Sequence, residues 1–258
     1  MSRRKAKHAM IAMALLIAAN VAAEPTKQAL DVRGLGLGMP RESAMVVASR
    51  ALYPIRASKD ETTDAWFSKG REWTFGCGPI TLFYHPGECL TLSFTSRRSL
   101  LYRVNLRQTF ESKPLVSEVR AALESRYGMP REVLHWPSRR GYVPALSGIG
   151  EIDKARTVLI WGGSGVPAVN DRRPGDDAVT NNMAGQYVVA ELITDDRILD
   201  MAKGSFRDAT ESERNTVLGV VVTLEDATLR REKEREVKAQ SDELRKKQDD
   251  ETRRSLRY

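Results

Sequence analysis

The sequence predicts an α+β fold: an antiparallel sheet packed against a few helices, followed by a charged, helical C-terminal tail. Three observations lead there. Short runs of alternating apolar residues, separated by turn residues, recur between positions 73 and 224. Two stretches, 41–52 and 114–127, carry apolar residues at helical spacing. Everything after Glu225 is highly charged and contains neither Gly nor Pro.

Taken in order, the chain opens on a basic head, Ser2 to His8, and an unbroken apolar run from Ala9 to Ala19. Small residues end that run at Asn20-Val21-Ala22-Ala23, before Glu24. This is the layout of a cleavable secretory signal peptide, with cleavage expected after Ala23 and a periplasmic destination. An apolar run of 11 residues falls short of the roughly 20 needed to span a bilayer. No later run approaches that length, so no transmembrane segment is expected after cleavage. No cysteine stands directly after the expected cleavage point, which argues against a lipid anchor.

Removal of residues 1–23 takes away four basic and no acidic residues, so the formal charge falls from +7 to +3. Residues 226–258 carry 11 Lys/Arg against 9 Asp/Glu, which leaves residues 24–225 near +1. A near-neutral body has no concentrated basic face for a phosphate backbone, so nucleic acid is not an expected partner. Residues 24–225 are expected to form the α+β globular domain, as one core or as two packed halves meeting near 130–155.

Within it, Asp31 to Leu35 reads as a short strand that runs through Gly36-Leu37-Gly38-Met39-Pro40 into a helix. Pro40 near the first helical position and Glu42 in the first turn both suit a helix start. Ala44, Val47, Ala48, Ala51 and Leu52 form its apolar stripe. Residues 54–70 read as polar and irregular. Alternation then predicts strands at 73–75 and 80–84, a turn at 85–88, and a hairpin of 90–94 with 101–106 around Ser96 to Ser99. The clearest helix is 114–127, with apolar positions 115, 116, 119, 122 and 123 and the stop signals Gly128 and Pro130. Further strands are expected at 157–161, 187–192 and 217–224, with a long loop from Gly162 to Gly185. Two near-repeats occur, Gly-Met-Pro-Arg-Glu at 38–42 and 128–132, and the strand-to-Asp pattern at 188–196 and 220–226. The first reads as coincidence and the second as a common strand-to-helix junction, where an Asp caps the next segment. Residues 226–258 read as a solvated charged helix that frays toward its end. Leu229, Val237 and Leu244 are too sparse for a coiled-coil seam.

Two cysteines, Cys77 and Cys89, are expected to form one structural disulfide in an oxidising compartment. Their spacing suits neither a redox motif nor a zinc site, and no cofactor or metal motif is present. His85 and His135 are the histidines left after the leader, far apart in sequence. Gly162-Gly163-Ser164-Gly165-Val166 follows a strand but breaks the nucleophile-turn pattern at Val166, and no His follows His135. Asp176-Asp177 and Asp195-Asp196 lack the alternate-residue pattern of a calcium loop.

The run from Arg33 to Ala44, with Gly38-Met39-Pro40-Arg41-Glu42, resembles the Gly-Met-x-x-Glu opening of SmpA/OmlA-like and β-lactamase-inhibitor-like exported domains. In those domains a strand-poor start leads to a helical hairpin packed on an antiparallel sheet. The resemblance covers about a dozen residues; it implies an exported, non-catalytic α+β binding scaffold and carries over no binding residue. The expected function is therefore a periplasmic protein that binds another envelope component and performs no chemistry. Trp136, Tyr142 and Trp161 are the candidate contacts, because aromatics are favoured in binding surfaces. The alternative is a periplasmic hydrolase whose site assembles Ser164, His135 and loop carboxylates.

Overall fold

A computed structural model of the chain describes residues 30–50, 52–57, 64–70, 87–136, 154–167, 180–195, 197–200 and 205–255. The chain first doubles back in a small hairpin, β1 (Asp31–Val32) and β2 (Leu35–Gly36). Arg33 and Gly34 at its tip have φ of 55° and 80°, the positive pair of a type I′ turn, and Asp31 Oδ1 accepts from the Gly34 N–H at 2.8 Å. Helix α1 (Arg41–Ser49) follows. Its Ala44 and Ala48 are buried one turn apart, and their small side chains let the helix sit close against the sheet. One helix leads here to a strand, where the resemblance implied a helical hairpin.

The main sheet has eight strands: β3 (Tyr53–Ala57), β4 (Asp64–Gly70), β5 (Gly87–Phe94), β6 (Leu101–Thr109), β7 (Glu132–Trp136), β8 (Lys154–Ser164), β9 (Ala184–Asp195) and β12 (Val217–Asp226). A second hairpin, β10 (Arg197–Asp200) with β11 (Ser205–Asp208), and helix α3 (Glu211–Arg214) lie between β9 and β12. Helix α2 (Val116–Tyr127) lies between β6 and β7, and α4 (Ala227–Ser255) follows β12. The order across the sheet is β3-β4-β5-β6-β12-β9-β8-β7, and every neighbouring pair is antiparallel. The architecture is thus α+β. It is also palindromic: α1 with β3 to β6, then α2 with β7, β8, β9 and β12, the last strands of the two runs pairing at the centre. The chain passes between the runs at 110–115.

Alternation divides the sheet into two faces. One carries Phe67, Leu92, Val104, Leu106, Leu192 and Val222, buried beneath α1, α2 and the β1–β2 hairpin. A side chain such as Leu92, fully buried there, contributes about 1.5–3 kcal/mol. The other face mixes apolar Val158, Ile160 and Val189 with buried polar groups.

Several expectations change. The stretch 54–70 is not irregular, since it supplies β3 and β4; Ala65 and Phe67 point inward in β4, but adjacent aromatics at 66 and 67 and polar flanks mask the alternation. Gly87 and Glu88 begin β5 instead of closing a turn. His135 and Trp136 lie in β7, not in a loop. The 162–185 loop is narrower than expected, because β8 runs on to Ser164 and β9 starts at Ala184. The expected strands at 73–75 and 80–84, Cys77, His85 and the 71–86 stretch around them lie outside the described residues. Cys89 is fully buried in β5, and no cysteine among the described residues is free.

The two Gly-Met-Pro-Arg-Glu copies share more than letters. Gly38 and Gly128 take φ of 78° and 79°, a region that favours glycine, and each following Arg N–H donates to a strand carbonyl or its flank. Arg41 donates to Ser99 at 2.9 Å and Arg131 to Ile160 at 2.8 Å. The first copy meets the start of β6 before a helix, and the second enters β7 alongside β8 after a helix.

The charged tail is helical, as its composition predicts, and continuous from Ala227 to Ser255. Asp226 caps it, its Oδ1 accepting from the N–H of Thr228 at 2.8 Å and of Leu229 at 3.2 Å. Its first turns are tied down. Arg98 pairs with Glu232, Lys233 Nζ donates to Ser96 Oγ at 2.7 Å, and Glu236 accepts from the Ser96 N–H at 3.0 Å. Beside the helix start, Glu225 is fully buried. It accepts from the Tyr187 hydroxyl at 2.6 Å and from Thr180 Oγ1 at 3.3 Å, and faces Arg230 at 3.1 Å and Arg103 at 3.5 Å.

Replacing Glu225 with Ala removes the buried carboxylate shared by Arg230 and Arg103 and leaves Arg230 with Asn181 and the more distant Glu234 at 3.7 Å. Loss of one partner from a buried pair costs about 3–5 kcal/mol, so Glu225→Ala should lower unfolding free energy by about that much in a urea titration. A loss under about 1 kcal/mol would refute the role given to Glu225. Burial, and next the Glu225 anion, push the Tyr187 phenol well above its ordinary value. The folded chain therefore keeps this proton after the unfolded chain has released its own near pH 10. The resulting stability is intact below about pH 10 and declines above it, by up to about 1.4 kcal/mol per pH unit. Tyr187→Phe should flatten that alkaline decline; an unchanged slope between about pH 9 and 11 would contradict the assignment.

Candidate functional site

Helix α2 covers the sheet incompletely. Its N-terminus is held by Glu118, whose Oε2 accepts from the Leu115 N–H at 2.8 Å, and its end by the Gly128 N–H donating to Glu124 at 2.8 Å. Yet none of its twelve residues is fully buried, whereas α1 buries Ala44 and Ala48. Beneath it lies a groove of about 610 Å³. Leu106 and Gln108 of β6 with Val220 and Val222 of β12 form the floor, at the middle of the sheet. Val119, Ala122 and Leu123 of α2 form the roof. Leu106, Val220 and Val222 keep 5–7 % exposure while Leu92 and Leu224, in the same core, keep none, so the floor touches solvent through the groove.

The two ends differ. At the C-terminal end of α2 the lining includes Val32, Arg126 and Tyr127, while Arg33 lines it from its ion pair with Glu88, which the register sets opposite Gln108. Arg126 pairs with Asp31 at 2.5 Å and Arg33 with Glu88 at 2.5 Å, each through Nη2. Asp31 and Glu88 do not line the groove. The Tyr127 hydroxyl donates to the Asp31 carbonyl at 2.9 Å, and its ring packs 5.3 Å from that of Trp161. Burial pushes the Tyr127 phenol above its ordinary value. At the other end stand Phe110, Ser112, Pro114 and Glu118, the last already engaged in capping. An apolar trough with a few polar groups at its rim is the arrangement of a small-molecule site, within the roughly 300–1,000 Å³ such sites occupy.

The residues singled out from sequence fall elsewhere. Trp161 is 3 % exposed and its indole N–H donates to the Gly128 carbonyl at 2.7 Å. It is a core residue that supports Tyr127 from behind and presents no contact surface, as its place in an apolar strand dictates. Trp136 sits in β7 opposite Arg156, its side chain outside the described residues, as is Tyr142 altogether. Ser164 is exposed at the end of β8. His135 lies opposite Thr157, its Nδ1 3.1 Å from Thr157 Oγ1. Seven residues of extended strand, about 23 Å, separate that position from Ser164, so the two do not meet. Among the described residues no group of three His, Cys, Asp or Glu could hold a metal ion. The described helices include none long and apolar enough to cross a membrane. Asp195 is buried in β9 with Lys113 4.0 Å away; Asp176, Asp177 and Asp196 lie outside the described residues.

The groove left one trace in the sequence, the small Ala122 on the apolar stripe of α2, which lines the groove and stays exposed. No family model, curated protein or solved structure matches this chain.

Val119 and Leu123 pack against the core while only partly buried, so truncating α2 should cost less than truncating the sheet. Leu123→Ala should cost about 1 kcal/mol or less, against about 2–5 kcal/mol for Leu92→Ala on the same face. Equal losses in paired urea titrations would show that α2 is packed as tightly as the sheet.

Proposed function

We propose that this is an exported, periplasmic binding protein without catalytic activity, which holds an apolar group of an envelope component in the groove beneath α2. The observation that carries the reading is the groove itself: an apolar trough at the centre of the sheet, under a helix that buries no residue. The sequence supports export through the leader at 1–23, with Glu24 as the first residue of the released chain. The resemblance of residues 33–44 to SmpA/OmlA-like domains points to the same class. A Cys77–Cys89 disulfide belongs to the same reading. Its support is the burial of Cys89 in β5, the absence of a free cysteine among the described residues, and an oxidising compartment.

Export and oxidation are tested together. Mass analysis of the protein recovered from a periplasmic extract should give a chain that begins at Glu24 and resists alkylation at Cys77 and Cys89 until reduced. A full-length chain with two reactive thiols in the cytoplasmic fraction would overturn the compartment. The site is tested with the solvatochromic dye ANS, which should bind saturably and lose its fluorescence gain in Ala122→Trp. Binding that is unsaturable, or indifferent to that substitution, would remove the groove as the site.

A further inference from the structure

We propose that the occupant is a single aliphatic chain that ends in a neutral amide, its tail on Leu106 and Val222 and its amide between Gln108 and Arg33. This rests on the reading of the groove as a binding site and adds the chemistry of the ligand and its direction. The walls select the tail. Leu106 and Val222 on the floor and Val119 and Leu123 on the roof are aliphatic, so each methylene moved onto them from water favours binding. They also disfavour a peptide, whose N–H and C=O groups would lie along that stretch without partners, a cost that an alkyl chain does not carry.

The head is placed by hydrogen-bonding groups and not by charge. Three charged side chains line the groove, and each is already engaged. Arg33 pairs with Glu88, Arg126 with Asp31, and Glu118 accepts from the Leu115 N–H. An ionic head therefore meets no unopposed charge. Gln108 differs. It is half-buried on the floor, and no other described residue engages its side-chain amide. The ladder sets it directly opposite Glu88, whose Oε1 takes Arg33 Nη2 and whose Oε2 is buried without a hydrogen-bond partner. Opposite residues share a face with Cβ atoms about 5 Å apart, so the Gln108 NH2 is drawn toward that empty acceptor and its Oε1 turns to the groove. The Arg33 guanidinium reaches the same place through its pair with Glu88 and has N–H groups to spare. The lining thus offers an acceptor on Gln108 beside donors on Arg33. A neutral amide answers both, its N–H donating to Gln108 Oε1 and its C=O accepting from Arg33. An ester has no N–H for Gln108. A carboxylate has none either, and it also meets the Glu88 anion.

Decanamide, methyl decanoate and decanoate, each titrated into the purified protein by calorimetry at neutral pH, share a tail and differ in the head. Decanamide should bind one to one, about tenfold tighter than either of the others. Gln108→Leu should erase that preference and bring amide and ester to within about twofold. Glu88→Gln, which leaves the Arg33 charge unopposed, should strengthen decanoate about fivefold or more and leave methyl decanoate unchanged. Ala122→Trp, and independently Val119→Trp, should weaken all three ligands, with far-UV circular dichroism checking that each variant is folded. An ester or a carboxylate that binds as tightly as the amide, with the tryptophan variants still blocking, would overturn the amide while the groove survives as a site. A preference for the amide that Gln108→Leu leaves intact, or a decanoate affinity indifferent to Glu88→Gln, would overturn the placement of the head. No binding of any of the three, or binding that neither tryptophan variant affects, would overturn the groove reading itself.

Discussion

Asn105 and Thr223 face each other in the middle of the sheet, and the Asn105 amide donates to the Thr223 hydroxyl at 3.0 Å. They belong to the β6–β12 ladder, which joins the two four-strand runs into a single sheet. The fold depends on that ladder. Each run alone is a short meander with one helix on it, too small to bury a sufficient core. Joined edge to edge, the runs cover each other's inner strand and leave only β3 and β7 as outermost strands of the described sheet.

The groove is a consequence of the same seam. Helix α1 packs over the first run, in contact with β4, while the end of α2 packs over the second, where Tyr127 meets Trp161 of β8. Neither helix is centred on the seam, so three of the β6 and β12 side chains that point to this face are less covered than Val104 and Leu224 beside them. Leu106, Val220 and Val222 are those side chains. The β1–β2 hairpin reaches the seam from the side and closes one end with Val32. A palindromic arrangement with a helix on each half thus leaves a trough along its own axis.

Much of this fold is legible in local pattern, and the failures have local causes. The 90–94 and 101–106 hairpin, helix 114–127 and strands 157–161, 187–192 and 217–224 all signal clearly because one face is buried and alternation or helical spacing is clean. β4 escapes that pattern because Trp66 and Phe67 are adjacent, so the strand shows no alternation until Phe67 is known to be buried. β7 escapes it because Trp136 precedes Pro137, a pairing that suggests a loop. The groove is legible only through Ala122, since a cavity is a matter of how far two surfaces stand apart, and spacing along one chain does not encode that distance. Strand order is not readable either. Nothing in residues 217–226 says that they insert between β6 and β9, rather than adding to an edge.

The two faces of the sheet reach stability by different means, and the difference explains which of them is free to hold a ligand. On the far face, burial includes Glu191 at 1 % exposure, paired with Arg156 at 2.6 Å, and Glu225 with its four partners. Groups of that kind tolerate no vacancy, because a buried charge that loses its partner is costly. That face is therefore committed, and through Arg230 it also fixes the direction in which α4 leaves the sheet. The helix face relies on aliphatic contacts, whose loss is graded with the area left uncovered. A gap there weakens the fold by a modest amount and leaves no orphaned charge. An apolar ligand that enters the gap restores the missing contacts, so the position where the core is least complete is also where binding is most readily coupled to stability.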